Sequence, residues 1–173
     1  MATLPKGTKL QPYWRACLDD LHSSYEGVCA YLCVYIERAL GATSTDHFVA
    51  KSRDVSQAYE WSNYRLACNA MNGRKGNFDA VLDPFNLSID TFRLELVTGH
   101  IYPNPQLAPA EEQRAAETIR RLGLDDGVCR ELRSRRFTEY LLLRGLTSNP
   151  EPQQLLRRCA PFIWYEADRQ GLL

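Results

Sequence analysis

Residues 45–76 of the 173-residue chain read TDHFVAKSRDVSQAYEWSNYRLACNAMNGRKG. Asp46 and His47 stand next to each other, Asn63 ends a polar stretch, and Asn72 follows nine positions later. Carboxylate and amide oxygens are hard ligands that suit Mg²⁺ or Mn²⁺. An imidazole can accept a proton from water near neutral pH. A carboxylate, an imidazole and two amides in one short stretch therefore indicate a hydrolase that uses a divalent metal.

The order and spacing of these residues resemble the HNH nucleases, which are also called His-Me finger or ββα-metal nucleases. In that family an Asp-His pair lies at the end of a strand, an Asn closes the hairpin loop, and a His or Asn follows on a helix. The interval from Asn63 to Asn72 and the Lys-Gly at 75–76 fit the H-N-N variant of this pattern. The resemblance is sharpest over residues 28–86. The surrounding sequence is similar to bacterial HNH proteins of mobile-element and phage-defence settings.

The resemblance implies a metal-dependent endonuclease that hydrolyses phosphodiester bonds of DNA, with double-stranded DNA as the expected substrate. In this scheme His47 takes a proton from the attacking water, and Asp46 and Asn72 hold one Mg²⁺ or Mn²⁺. Asn63 completes the catalytic set of His47, Asn63 and Asn72 by fixing the loop so that the His47 ring points at the water. One such site per chain implies nicking, and double-strand breaks would need two copies.

Five basic residues near the motif are predicted to contact the nucleic acid: Lys51, Arg53, Arg65, Arg74 and Lys75. The first three flank the implied metal site. For any one of them, the sequence is equally compatible with a solvated surface position that contacts no nucleic acid. Arg74 and Lys75 follow Asn72 closely and are the best candidates to hold the phosphate backbone.

The composition fits a folded domain with a sizeable core but gives no overall sign of nucleic-acid binding. Hydrophobic residues make up 45% of the chain, so intrinsic disorder is not expected. The 21 basic and 21 acidic residues balance, so a DNA-binding surface has to come from local clusters. No apolar run reaches the length of a membrane span, and residues 1–14 lack the apolar core of a signal peptide. A cytoplasmic protein that does not contact membranes is therefore expected.

The cysteines are expected to be buried thiols and not zinc ligands. Many HNH proteins carry two Cys-x-x-Cys pairs that hold a structural zinc. Here the first candidate pair, Cys29 and Cys33, is one residue too wide, and Met71 stands where the partner of Cys68 would be. A tetrahedral zinc site needs four Cys or His ligands, so no structural zinc is expected.

Hydrophobic periodicity and helix-end signals predict the order of the secondary-structure elements. Strands are predicted over 28–36, 43–49 and 87–97, with 64–68 as a strand or a lead-in to a helix. Helices are predicted over 10–24, 69–75, 110–122, from 125 to about 143, and as a pair after 150. The fold class is thus α+β, and the resemblance implies a ββα-metal core with flanking helices and a C-terminal helical extension. The predicted domains are an HNH nuclease domain over 1–109, with its motif core at 28–86, and a C-terminal helical subdomain over 110–173 that packs on the core.

Two other functional classes remain open. From Arg114 to Arg144 the chain has eight arginines against five acidic residues, which is typical of a solvated helix face, a phosphate-binding flank or a partner surface. Together with the neutral net charge, this pattern fits a nuclease subunit that is active only with a partner, such as an ATPase or sensor of a defence system. The other class is a catalytically idle module that binds nucleic acid or a partner. A homodimer and an RNA substrate also stay open.

Overall fold

The computed structural model of the chain describes residues 10–78, 80–147 and 149–173, and it has an α+β architecture. The described α-helices are α1 Leu18–Ser24, α2 Asn69–Lys75, α3 Pro109–Leu122, α4 Gly127–Leu146, α5 Glu151–Cys159 and α6 Pro161–Arg169. The described strands are β1 Thr43–His47, β2 Tyr64–Cys68, β3 Phe92–Leu94 and β4 Ile101–Pro103. Residues 1–9, part of the N-terminal segment predicted to lack a signal peptide, lie outside the described residues. Within the described part of the chain, no helix is long and apolar enough to cross a membrane.

The first of two compact units comprises the described residues of 1–31 and 36–80, and it is built on a hairpin followed directly by a helix. Strands β1 and β2 pair antiparallel, with Thr43 opposite Cys68 and His47 opposite Tyr64. Helix α2 begins at the residue after Cys68, and both α1 and α2 contact the two strands. Leu66 and Met71 are buried between these elements, and each contributes roughly 1.5–3 kcal/mol through removal of apolar surface from water.

The apolar run at 28–36 is buried or half-buried, but it does not form the predicted strand. Within the run, only Val28 and Tyr35 have isolated bridge pairs, and residues 30–32 lie in a turn. Glu26, Gly27 and Cys33 all have positive φ values, of 50°, 74° and 55°, so the chain reverses direction where a strand would have to stay extended. An apolar run predicts burial more reliably than it predicts backbone conformation.

The second unit comprises residues 32–35 and the described residues of 81–173. Strands β3 and β4 pair antiparallel, α3 contacts β4, and α6 contacts β3. Leu94, Leu122 and Ile163 form part of its core. Residues 81–109 thus pack with the C-terminal helices, and the division between units falls after residue 80 instead of the predicted 109. The reason is that β3 and β4 have their apolar partners in α3 and α6, which come later in the chain.

Asp125 joins β4 to α4 within the second unit, and it gives a prediction for acid stability. Its carboxylate accepts hydrogen bonds from Arg130, from the His100 ring at 2.9 Å and from the amide of Ile101 at 3.0 Å. Burial raises the pKa of Asp125, but these hydrogen bonds outweigh it and lower the pKa from 3.8 to about 2. A depressed pKa in the folded state means that the ionised carboxylate stabilises the fold above pH 3.8, and that this contribution is lost as the pH falls toward 2.

We expect Asp125→Asn to lower the free energy of unfolding by about 1–2 kcal/mol at neutral pH. The loss should be much smaller near pH 2, where Asp125 of the folded protein becomes protonated. Urea denaturation of the wild type and the variant across this acid range measures the difference. A difference that stays constant with pH would show that the charge of Asp125 is not the source of its contribution.

Candidate active site

Three residues of the predicted site, Asp46, His47 and Asn72, line one cavity of about 240 Å³ in the first unit. Asp46 and His47 are the last two residues of β1. Helix α2 follows β2 without a linker, and this places Asn72 next to β1. The remaining lining residues are Trp14, Thr45, Ala50, Lys51, Gly76 and Asn77. The cavity therefore collects groups from β1, the loop after it, and α2.

The His47 ring is fixed in a single orientation. Its Nε2 lies 3.0 Å from the carbonyl oxygen of Ala58, and since a carbonyl only accepts hydrogen bonds, Nε2 carries the proton. The edges of Trp14 and Tyr64 flank the ring, with centroid distances of 4.9 and 5.2 Å. In the neutral ring Nδ1 is then the nitrogen with a free electron pair. His47 is thus arranged as a proton acceptor through Nδ1.

The environment of His47 keeps it neutral. Burial is the largest influence and lowers its pKa below 6.5, while the hydrogen bond to Ala58 and the charge of Asp46 act in the opposite direction. The ammonium groups of Lys51 and Lys75 lower the pKa further. The net direction is downward, so the imidazole is unprotonated at neutral pH, as a general base must be.

Asp46 is buried in a network of hydrogen bonds and charge. The hydroxyl of Tyr31 donates to Asp46 Oδ2, and the ammonium of Lys75 lies 3.2 Å from each carboxylate oxygen. Lys75 also donates to the backbone carbonyl of His47 at 2.9 Å, and its side chain is fully buried. Lys75 thus fixes both residues at the end of β1, and Asp46 is an ion-paired carboxylate.

Asn72 turns its amide nitrogen toward β1. Its Nδ2 donates to Ser44 Oγ at 3.1 Å and to the carbonyl of Thr45 at 3.4 Å. These bonds use the nitrogen and leave the amide oxygen available as a ligand.

The residues at the cavity fit a hydrated, hard cation. A carboxylate oxygen can accept more than one partner, so Asp46 keeps capacity beyond its bonds to Tyr31 and Lys75. Mg²⁺ needs only one or two protein oxygens and retains several waters, for which the cavity has room. Among residues 10–78, 80–147 and 149–173, no three His, Cys, Asp or Glu side chains form a group that could hold a metal ion. A cation would therefore depend on the Asn72 amide and on water, with Lys75 as a neighbouring positive charge that weakens its binding.

Asn63 holds the two ends of the loop that follows β1. Its Oδ1 accepts from the amide of Val49 at 2.7 Å, and its Nδ2 donates to the carbonyls of Val49 at 3.0 Å and Gln57 at 2.9 Å. The Asn63 side chain is 4% exposed, and its three bonds replace water for half-buried backbone groups of the loop. The same loop supplies Ala58, the partner of His47. Asn63 therefore acts on the site by holding the loop and does not line the cavity.

We expect Asn63→Ala to lower the free energy of unfolding by about 1–3 kcal/mol, because it leaves half-buried backbone groups of Val49 and Gln57 without these partners. Urea denaturation measures this loss. Asn69→Ala is a matched control, since Asn69 is exposed in the same unit and donates one hydrogen bond, to Gly41. Equal stability of the two variants would contradict the role assigned to Asn63.

The five predicted nucleic-acid contacts are in different environments. Lys51 is exposed, lines the cavity and lies 4.0 Å above the Trp14 ring. Arg53 is exposed and Arg74 is half-buried, and neither lines the cavity.

Arg65 and Lys75 need a correction, because neither reaches the surface. Arg65 is 3% exposed, and it donates to the backbone carbonyls of Ser62 at 2.7 Å and Tyr64 at 3.0 Å. Strand β2 is covered on both faces, so alternation along the strand does not bring Arg65 to solvent. The Lys75 ammonium is paired with the Asp46 carboxylate. Neither side chain can contact a phosphate in this arrangement.

Tyr31 and Trp14 contribute to the site, although the motif does not include them. Tyr31 lies inside the apolar run at 28–36, and Trp14 lies far upstream of β1. The Trp14 ring is only partly buried, and it packs on His47. No local sequence pattern signals either contact, because both depend on how distant segments meet.

No model of a known protein family matches the chain, and no curated protein matches it in sequence.

Proposed function

We propose that the chain is a metal-dependent endonuclease of the HNH type that hydrolyses phosphodiester bonds of DNA. The observation that carries the proposal is the fixed His47 ring beside Asp46 and Asn72 at one cavity. A neutral imidazole with Nδ1 free, a carboxylate and an amide oxygen are the groups that metal-assisted hydrolysis requires. The strand–strand–helix order of β1, β2 and α2 supports the assignment to a ββα-metal core.

In the proposed reaction, Nδ1 of His47 takes a proton from a water molecule, and that water attacks the scissile phosphorus. The bond from phosphorus to the leaving 3′ oxygen then breaks. Asp46 and Asn72 would hold one Mg²⁺ or Mn²⁺, and the ion would neutralise the negative charge that develops on the phosphate and the leaving oxygen. Asn63 and the Ala58 carbonyl keep the His47 ring in place during the proton transfer.

Lys51, Arg53 and Arg74 form the proposed phosphate-contacting set. Lys51 is already at the cavity, and Arg53 and Arg74 lie on the loop and helix that supply the other site groups. These residues would position the backbone, which carries no sequence information by itself. Lys75 acts within the site, where it holds Asp46 and the end of β1.

Nicking of supercoiled plasmid by the purified protein, with Mg²⁺, Mn²⁺ or EDTA, tests the proposal. We expect open-circular DNA with either metal and none with EDTA. Activity that is unchanged by EDTA would contradict a metal-dependent reaction. A parallel incubation with RNA of matched length decides the substrate class.

A nuclease subunit that requires a protein partner is the second candidate. A row of exposed leucines on α4 favours it: Leu141, Leu142, Leu143 and Leu146, of which Leu146 is 83% exposed. Leu143 and Leu146 line a cleft with Leu155 of α5. Exposed apolar clefts of this kind are typical of surfaces that bind another protein.

The second candidate predicts a chain that is inert alone and nicks DNA in a His47-dependent manner once its partner is added. Sedimentation of the wild type and of Leu146→Glu shows whether the partner is a second copy, because a homodimer would dissociate in the variant. Inertness with every metal and every partner would favour the catalytically idle module.

A further inference from the structure

The structure brings two cysteines together in the first unit, outside the proposed catalytic cavity. The backbone amide of Cys68 donates to Cys29 Sγ at 3.4 Å. The amide of Ala30, next to Cys29, donates to the carbonyl of Leu66 at 2.8 Å, so the two segments run side by side at this point. Neither cysteine is part of a disulfide bond. They lie far apart in the sequence, and only the fold makes them neighbours.

We propose that Cys29 and Cys68 form a redox-sensitive thiol pair that closes to an intramolecular disulfide when the protein meets a peroxide. The two thiols differ in the way that such a pair requires. Cys29 is 1% exposed, whereas Cys68 is half-buried and therefore accessible to a small oxidant. Cys68 is the first to react, and Cys29 then resolves the intermediate.

The surroundings of Cys68 favour the reactive thiolate. A hydrogen bond from the Cys29 thiol is the largest influence and lowers its pKa, burial raises it, and the backbone amides of Met71 and Ala70 lower it again. The net effect lowers the pKa of Cys68 from 9.0 to about 6. The thiolate is the nucleophilic form of cysteine, so Cys68 is reactive at neutral pH.

The reaction consumes one hydrogen peroxide and yields two waters. The Cys68 thiolate attacks one peroxide oxygen, the O–O bond breaks, and hydroxide leaves and takes up a proton to become water. Cys68 is now a sulfenic acid. The sulfur of Cys29 attacks the Cys68 sulfur, an S–S bond forms as the S–O bond breaks, and the leaving hydroxide takes the Cys29 proton. Both sulfurs are oxidised, and the peroxide is reduced.

The disulfide would close a covalent ring that contains the whole site loop. Asp46, His47 and Asn63 all lie between Cys29 and Cys68, and Cys68 directly precedes α2, which carries Asn72. A crosslink that closes a loop of this length restricts the unfolded chain and raises stability. Oxidation therefore closes a covalent loop that contains Asp46, His47 and Asn63.

The test treats the reduced, full-length protein with one equivalent of hydrogen peroxide at neutral pH. We expect the thiol count after denaturation to fall from six to four, and non-reducing peptide mapping to find Cys29 linked to Cys68. Dithiothreitol should restore all six thiols. The oxidised form should melt roughly 5 °C or more above the reduced form. None of these readouts depends on nuclease activity.

Cysteine variants separate the role of Cys68, which reacts first with peroxide, from that of Cys29, which forms the disulfide. Cys29→Ser, whose hydroxyl can still donate to Cys68, should stop at the Cys68 sulfenic acid, which dimedone traps. Cys29→Ala, which also loses this hydrogen bond, should form the same sulfenic acid more slowly. Cys68→Ser should keep its five remaining thiols after treatment with one equivalent of hydrogen peroxide. Cys129→Ser, a buried cysteine of the second unit, is the matched control and should still lose two thiols. A bond to another cysteine, a bond between two chains, or a wild-type Cys68 oxidised with Cys29 still a free thiol would overturn the proposal.

Discussion

The His47→Ala variant is expected to nick supercoiled plasmid about 10²–10⁴-fold more slowly than the wild type, with Mg²⁺ or Mn²⁺ present. The substitution removes Nδ1, the only nitrogen of the ring that can accept a proton while Nε2 donates to Ala58. Quantified rates of open-circle formation under single-turnover conditions measure the loss. Added imidazole should restore part of the activity, because the truncated side chain leaves space beside the cavity.

His22→Ala is the matched control for this experiment. His22 lies in the same unit, is 8% exposed like His47, and also places Nε2 near a backbone carbonyl, that of Ile36 at 3.4 Å. Loss of a buried imidazole therefore affects packing similarly in both variants, but only His47 lines the cavity. If His22→Ala loses as much activity as His47→Ala while both remain folded, His47 is not the general base.

The Lys75→Met variant is expected to lose about 3–5 kcal/mol of the free energy of unfolding. Asp46 is 3% exposed, and removal of the ammonium would leave its carboxylate buried without a counter-charge. The backbone carbonyl of His47 would lose a donor at the same time. Urea denaturation followed by circular dichroism measures the effect.

The double variant Asp46→Asn/Lys75→Met separates the charge from the packing. With the carboxylate neutralised, most of the lost stability should return, since the cost comes from the unpaired charge. Lys51→Met, which removes an exposed ammonium at the same cavity, should unfold at the same urea concentration as the wild type. A double variant no more stable than Lys75→Met alone would show that the ion pair is not what stabilises the end of β1.

These two experiments probe features that differ in how far the sequence predicts them. The motif predicts a strand over 43–49 that carries Asp46 and His47 and a helix over 69–75. The structure has β1 over Thr43–His47, two residues shorter, and α2 over Asn69–Lys75. Local spacing is sufficient here because a hairpin and a following helix bring nearby residues together. The nuclease activity itself stays a proposal.

The basic residues show where local reasoning fails. Arg65 and Lys75 are residue types that commonly bind phosphate, yet both are buried. Each donates hydrogen bonds to acceptors within the protein. A basic side chain beside a motif can be buried only when a hydrogen-bond acceptor from another part of the chain faces it. Otherwise it stays exposed to solvent. For Lys75 that acceptor is Asp46, which the sequence predicted only as a metal ligand.

By itself, the sequence determined the α+β class and the C-terminal helices, because hydrogen bonding and hydrophobic periodicity within a short segment fix these elements. The hairpin and helix around the motif were expected from the resemblance of the motif. Only the tertiary structure decided that Tyr31 and Lys75 hold Asp46, that Cys29 lies beside Cys68, and that residues 81–109 pack with the later helices. Each of these contacts joins residues that are distant along the chain. Their proximity is set by which apolar faces are buried against each other, and no short stretch of sequence contains that information.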